Sequence, residues 1–305
     1  MPQPVTRASE YRASLPAIWS ALIAVYLIWG STYLAIRYAV ETMPPFLMAA
    51  GRFMVCGGFL YALRRLSGDP SPKALEWRSA VVIGIFLLVG GNGGVVWAEQ
   101  FVPSSLAALL VATVPLWMVL IDTFRPGGHW PGSMEITGIF IGFSGVILLV
   151  RSVAGIPEVT NFLGVGALIF ASLAWSIGSL YGRSAKLPSS QLLGTAMEML
   201  AGGMALMVVA TIVGEWSNLD LAAISRRSAL ALVYLTVVGS GAFVAYVWLL
   251  RVAPTPLVAT YAYVNPLVAV ALGYFLAAEP MTIRVLLAAA LIIGSVVLVS
   301  TSQRQ

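Results

Sequence analysis

The sequence predicts an all-α integral membrane protein: ten transmembrane helices arranged as two five-helix repeats of inverted topology. Three observations carry that prediction. Of the 305 residues, 59% are hydrophobic and only 10% are charged, giving a mean hydropathy of +0.92. The apolar residues fall into ten long runs. Two stretches in opposite halves carry Trp and Pro at the same spacing. A water-soluble domain needs roughly 25–35% charged residues at its surface, so a soluble enzyme is excluded. Nucleic-acid binding and disorder, which both need a charge-rich chain, are excluded with it. The single cysteine, Cys56, cannot form an internal disulfide.

A bilayer core about 30 Å thick takes about 20 apolar residues per helix. Barrel strands would instead be short and alternating, whereas the runs here are long and continuous. They cover 15–36, 44–64, 79–98, 104–124, 133–151, 161–182, 190–213, 228–250, 255–277 and 282–301. Turn chemistry or charge separates them, as at Pro44 and Pro45, at Arg64 to Lys73, and at Pro126, Pro157, Pro188 and Pro280. The shortest breaks lie at Pro103 and Pro254. Merging across either would make a run far longer than one span. The first run is too long for a cleaved signal and is expected to remain as a helix.

Basic residues set the orientation. Eleven lie on one side of a ten-span alternation: Arg7, Arg12, Arg64, Arg65, Lys73, Arg78, Arg125, Arg183, Lys186, Arg251 and Arg304. Five lie on the other, Arg37, Arg151, Arg226, Arg227 and Arg284, while Arg52 falls inside a span. The bias places both termini in the cytoplasm.

Trp97, Pro103 and Pro115 in the first half correspond to Trp248, Pro254 and Pro266 in the second, each at an offset of 151. Trp29 and Trp175 form a looser pair at offset 146. Chance alignment of two hydrophobic halves is the competing explanation, but three equal offsets in Trp and Pro speak for a repeat. The units are 1–152 and 153–305. Each has five spans, so the second enters the membrane from the opposite face. Inverted repeats of this kind build secondary transporters.

Ile28-Trp29-Gly30-Ser31-Thr32-Tyr33 in span one, Arg52 in span two, Ser105 to Pro115 in span four and Leu291 to Leu298 in the last span together resemble the EamA-type members of the drug/metabolite transporter superfamily. Within it the chain resembles the bacterial amino-acid and metabolite exporters. The resemblance covers essentially the whole chain. It implies an inner-membrane location, inside termini and a basket of two repeats. It also implies a central cavity lined mainly by spans one, three, four, six, eight and nine. The chain departs from the family at one point: Glu279 precedes Pro280, but the matching residue before Pro131 is Trp130.

No catalytic constellation is present. His129 is the only histidine and falls in a loop, and the acidic residues lack the spacing of a metal site. Without a phosphate-binding Gly-Lys-Ser/Thr motif the chain has no ATP site of its own. The expected partners are a small-molecule substrate and the lipid bilayer. No cofactor, metal, nucleic acid or obligate protein partner is expected.

The candidate substrate-binding residues are Trp29, Tyr33, Asn92, Trp97, Thr113, Trp117, Trp175, Ser179, Tyr246, Tyr263 and Asn265. Aromatic faces suit an ammonium group or an apolar side chain. A buried amide needs a partner or water, so Asn92 and Asn265 should face protein or a cavity. For the Trp residues, packing or an interfacial belt is the alternative. Gly90, Gly91, Gly93 and Gly94 interrupt span three, whether for close packing, for backbone exposure or for bending. Pro115 and Pro266 should kink spans four and nine.

Arg52 and Glu198 are the two full charges inside spans, at similar depths from opposite faces, and each must be paired or wet. Glu198 is also the proton-coupling candidate. Glu99 and Asp122 lie near span ends, where solvation accounts for them. The expected function is secondary transport of a small metabolite, most plausibly amino-acid export, by alternating access through a cavity with almost no fixed charge. A passive channel, and carriage of quaternary ammonium compounds or nucleotide sugars, are the alternatives.

Overall fold

A computed structural model describes residues 14–124, 130–153, 162–253 and 260–302. Among the described residues ten helices are long or apolar enough to belong to a membrane domain. They are α1 (Leu15–Ala39), α2 (Pro45–Leu66), α3 (Ala74–Ala98), α4 (Ser104–Phe124), α5 (Ser133–Val153), α6 (Phe162–Gly182), α7 (Gln191–Ile212), α8 (Arg226–Val252), α9 (Tyr261–Ala277) and α10 (Ile283–Ser302). Arg7, Arg12, Arg125, Pro126, His129, Pro157, Pro254 and Arg304 lie outside the described residues, as do the side chains of Arg151, Arg251 and Tyr263.

The helix starts follow local chemistry. Pro45 opens α2, where its missing N–H leaves no bond unmade. α3 begins five residues earlier than its apolar run because Glu76 accepts from the Lys73 amide at 2.6 Å and closes a capping box. Ser225 Oγ accepts from the Ser228 amide at 3.0 Å and starts α8. Two residues past α7, Gly214 with a φ of 77° turns the chain into the short helix Glu215–Asn218.

The helix pairings display the two-fold relation between repeats. Under it, α1 to α5 map onto α6 to α10. The pairs α2/α7, α4/α9 and α5/α10 each map onto themselves, and all three pack together. The pair α1/α8 maps onto α3/α6, and α1/α9 onto α4/α6; these pack as well. The repeats are therefore interlocked, with the shared core running through both.

Long-range polar contacts fix which helix ends share a side. Glu215, after α7, accepts from the amides of Phe46 (3.1 Å) and Leu47 (2.8 Å) at the start of α2. Glu279, after α9, accepts from the amides of Ser104 (2.7 Å) and Ser105 (2.9 Å) and from the Ser104 hydroxyl (2.7 Å) at the start of α4. Arg227, opening α8, lies 3.7 Å from Glu41 after α1. All of these ends fall on one face only if ten helices alternate. On the other face the Arg64 guanidinium grips Asp69 at 2.7 and 2.9 Å and holds its carboxyl below the usual carboxylate range, with Ser190 before α7 contributing.

The glycines of α3 serve close packing. Residues Ile85–Gly93 form a π-helix, a widened turn often found at functional sites. A Cβ on Gly90 would lie 2.6 Å from Ala174 Cβ, and one on Gly94 would lie 3.0 Å from Ala171 Cβ. α3 and α6 thus touch backbone to side chain, as small residues allow between membrane helices. Gly90→Val should push them apart and lower thermal stability in detergent by about 1–3 kcal/mol, as a melting curve of purified protein would show.

The two prolines behave differently. α4 breaks at Ala112 and Thr113 into Ser104–Val111 and Val114–Phe124, so Pro115 sits where a helix start tolerates it. α9 continues through Pro266. The break in α4 therefore has no counterpart in α9.

Candidate functional site

One cavity of about 130 Å³ lies between the repeats. α1 supplies Trp29 and Thr32, α2 supplies Arg52, and the π-helical part of α3 supplies Asn92. From the second repeat come Trp175 of α6, Thr195 and Glu198 of α7, and Ser240 and Phe243 of α8. The lining helices are therefore α1, α2, α3, α6, α7 and α8. Among the described residues, spans four and nine, expected to share the lining, supply none of this cavity's wall. α4 is broken, and α6 bonds to carbonyls on both sides of the break: Ser172 Oγ donates to Leu110 O at 3.3 Å and Ser176 Oγ to Val114 O at 3.1 Å. These bonds hold α4 against α6, and α9 packs behind it.

The polar wall is built from Arg52 and Asn92. Arg52 is 7% exposed, and its Nη2 donates to Asn92 Oδ1 at 2.5 Å, while its guanidinium lies 4.5 Å from the Phe53 ring centre. Asn92 is the only acceptor that Arg52 has among the described residues, and Nε has none. A guanidinium carries five N–H donors, so most are left over. Glu198 opens onto the same cavity, and no hydrogen bond or ion pair engages its carboxylate among the described residues. Arg52 and Glu198 share the space without pairing, and the expectation of a cavity nearly free of fixed charge is corrected. The sequence placed them at similar depths from opposite faces, but only the fold turns them to one opening.

Aromatic rings form the other walls. Trp29 packs on Tyr246 at 4.9 Å, on Tyr261 edge-on at 5.2 Å and on Phe243 at 6.1 Å between ring centres. Trp175 lies against the glycines of α3, and a Cβ on Gly91 would sit 2.8 Å from its ring. The two tryptophans paired by the repeat offset thus reach one cavity.

Of the other candidates, Tyr246 backs Trp29 and does not itself line the cavity. Tyr33 packs into the shared core. Trp97 stacks edge-on with Phe101 at 5.2 Å. Thr113 donates to Leu110 O at 2.6 Å and accepts from Trp117 Nε1 at 3.1 Å, and Trp117 packs on Phe143 at 4.8 Å. Ser179 sits one turn beyond Trp175 and outside the lining. Asn265 is buried, and with its amide nitrogen turned inward it donates to Tyr261 O (3.2 Å) and Tyr26 O (3.3 Å), which ties α9 to α1.

Sequence reasoning missed Thr195, Ser240 and Phe243. Thr195 was within reach, since it precedes Glu198 by three residues and shares its helix face.

An inverted pair of five-helix units closed around a cavity inside the membrane domain is a transporter architecture. The chain matches the EamA-like transporter family twice, over residues 16–151 and 162–301, and it belongs to that family. It is 41% identical over 296 residues to the inner membrane transporter YedA of Escherichia coli K12, covering 95% of this chain and 92% of YedA. It is 23% identical over 307 residues to the transporter YvbV of Bacillus subtilis, covering 95% and 94%. A solved crystal structure at 22% identity superposes with a TM-score of 0.63 over 96% of this chain and 100% of the other, which is a likeness of fold.

Proposed function

We infer that the protein is a secondary transporter of small zwitterions, amino acids above all, working by alternating access in the bacterial inner membrane with both termini inside. The observation that carries this reading is the pair of unmatched charges, Arg52 and Glu198, facing one cavity between Trp29 and Trp175. A guanidinium with spare donors is a carboxylate site. A free carboxylate beside aromatic faces is an ammonium site. An α-amino acid presents both groups on one carbon. The cavity volume is close to the roughly 150 Å³ that holds a benzene-sized molecule, which favours small side chains such as that of threonine. The name of YedA supports the inner membrane and the transporter class. Exchange of the two repeats' conformations would open the cavity to alternate sides.

The test uses proteoliposomes. Trp29→Ala, Trp175→Ala and Asn92→Ala should each lower threonine counterflow while leaving membrane insertion intact. Wild-type counterflow in all three variants would remove the cavity from the account. Flux that never saturates, without acceleration by substrate on the far side, would instead indicate a passive channel.

A further inference from the structure

Glu99 follows the last residue of α3 and is fully buried, at 0% exposure. Neither of its carboxylate oxygens has a hydrogen-bond partner among the described residues. The sequence had placed it with solvated charges at span ends, and the structure corrects that. An ionised carboxylate sealed from water without partners is very costly. The end of a helix also opposes negative charge through its dipole. Both effects favour the neutral acid.

The groups around Glu99 do not quench it. Arg37 of α1 donates Nη1 to the backbone carbonyl of Glu99 and acts on the carboxylate only electrostatically. Arg52 of α2 acts on Glu99 electrostatically but donates to Asn92. Glu279, from the link between α9 and α10, adds a second negative charge and is itself engaged with the start of α4. Tyr33 of α1 also interacts with Glu99 electrostatically. Tyr261 of α9 and Tyr246 of α8 pack on Trp29 of the cavity wall, with ring centres 5.2 and 4.9 Å from it.

We propose that Glu99 is a proton-binding site that couples transport to a proton gradient. Its resting form is the neutral acid. Its carboxyl proton passes to water admitted from the cavity between Trp29 and Trp175. A carboxylate remains, within electrostatic reach of Arg37 and Arg52. When the α3 end of the protein opens to water, a proton taken from that side restores the acid. This rests on the transporter reading above. It moves the coupling role from Glu198, which faces the substrate cavity, to a residue set apart from it. Intramembrane acids commonly serve such relays.

The experiment compares wild type, Glu99→Gln and Glu99→Asp, each full length in proteoliposomes, in two readouts. The first is transport of labelled threonine, both as counterflow at equal pH and as accumulation driven by a pH gradient. Glu99→Gln, which mimics the neutral acid, should keep counterflow and lose driven accumulation. Glu99→Asp should recover part of the driven accumulation. The second readout needs no substrate: the infrared carbonyl band of a protonated carboxylic acid near neutral pH, a component of which Glu99→Gln should remove. Driven accumulation in Glu99→Gln at the wild-type level, a Glu99→Asp variant no better than Gln, or an acid band untouched by Glu99→Gln would each overturn the proposal. Absence of threonine counterflow in wild type would sink the amino-acid reading instead. The infrared band would then decide the case of Glu99 by itself.

Discussion

Arg52→Gln is expected to weaken the apparent affinity for a zwitterionic amino acid by about 30-fold or more, since losing one partner of a buried charged contact costs about 2–5 kcal/mol. The variant keeps a polar group that can bond Asn92, so insertion and folding should survive. The effect belongs to the substrate carboxylate. Glu198→Gln should cause a comparable loss through the substrate ammonium, and the two losses should separate with analogues. An amino-acid methyl ester should be indifferent to Arg52→Gln, and an N-acetyl amino acid indifferent to Glu198→Gln. Concentration dependence of counterflow for each variant gives the answer. If Arg52→Gln left affinity unchanged, Arg52 would be a structural residue held by Asn92 and the Phe53 ring.

Glu279→Ala is expected to be the most destabilising single change at a helix end. Its two oxygens take three hydrogen bonds from the start of α4, where Ser104 is fully buried. Removing the carboxylate leaves two backbone amides without a partner at the positive end of a helix dipole. The penalty should be about 3 kcal/mol, seen as a lower melting temperature of the purified protein. Glu279→Gln, which keeps one acceptor oxygen, should fall between. The cap joins the second repeat to the first, so its loss should also loosen α4 from α9.

Much of this arrangement was legible in the sequence, and the reasons are physical. Length and apolarity alone delimit a spanning helix, because nothing else satisfies its backbone in lipid. Accordingly ten runs became ten helices, with shifts mainly where a cap such as Glu76 extends a helix past its apolar part. The offset linking Trp29 to Trp175 anticipated two residues that share a cavity. The glycines of span three signalled an irregular helix, which proved to be the π-helical stretch that presents Asn92.

What stayed hidden depends on rotation and on long-range contact. No local pattern tells whether Thr113 and Trp117 turn to a cavity or to each other; in the fold they bond to each other. The equal spacing of Pro115 and Pro266 hid a break in one helix and continuity in the other. Glu99 looked like a solvated end charge because its burial depends on chain distant in sequence, such as Arg37, which donates to its carbonyl. Glu279 itself stood out only as a family feature without its mate, and its use as a cap for α4 needed the fold.

The central claim is that one cavity reads both charges of an amino acid, and competition in counterflow tests it most directly. Proteoliposomes loaded with unlabelled threonine are given trace labelled threonine outside, together with an excess of threonine, its methyl ester or its N-acetyl derivative. Transient accumulation of label that only the intact zwitterion suppresses is the predicted result. Accumulation suppressed equally by the methyl ester or the N-acetyl derivative, or no accumulation by correctly inserted protein, would contradict it.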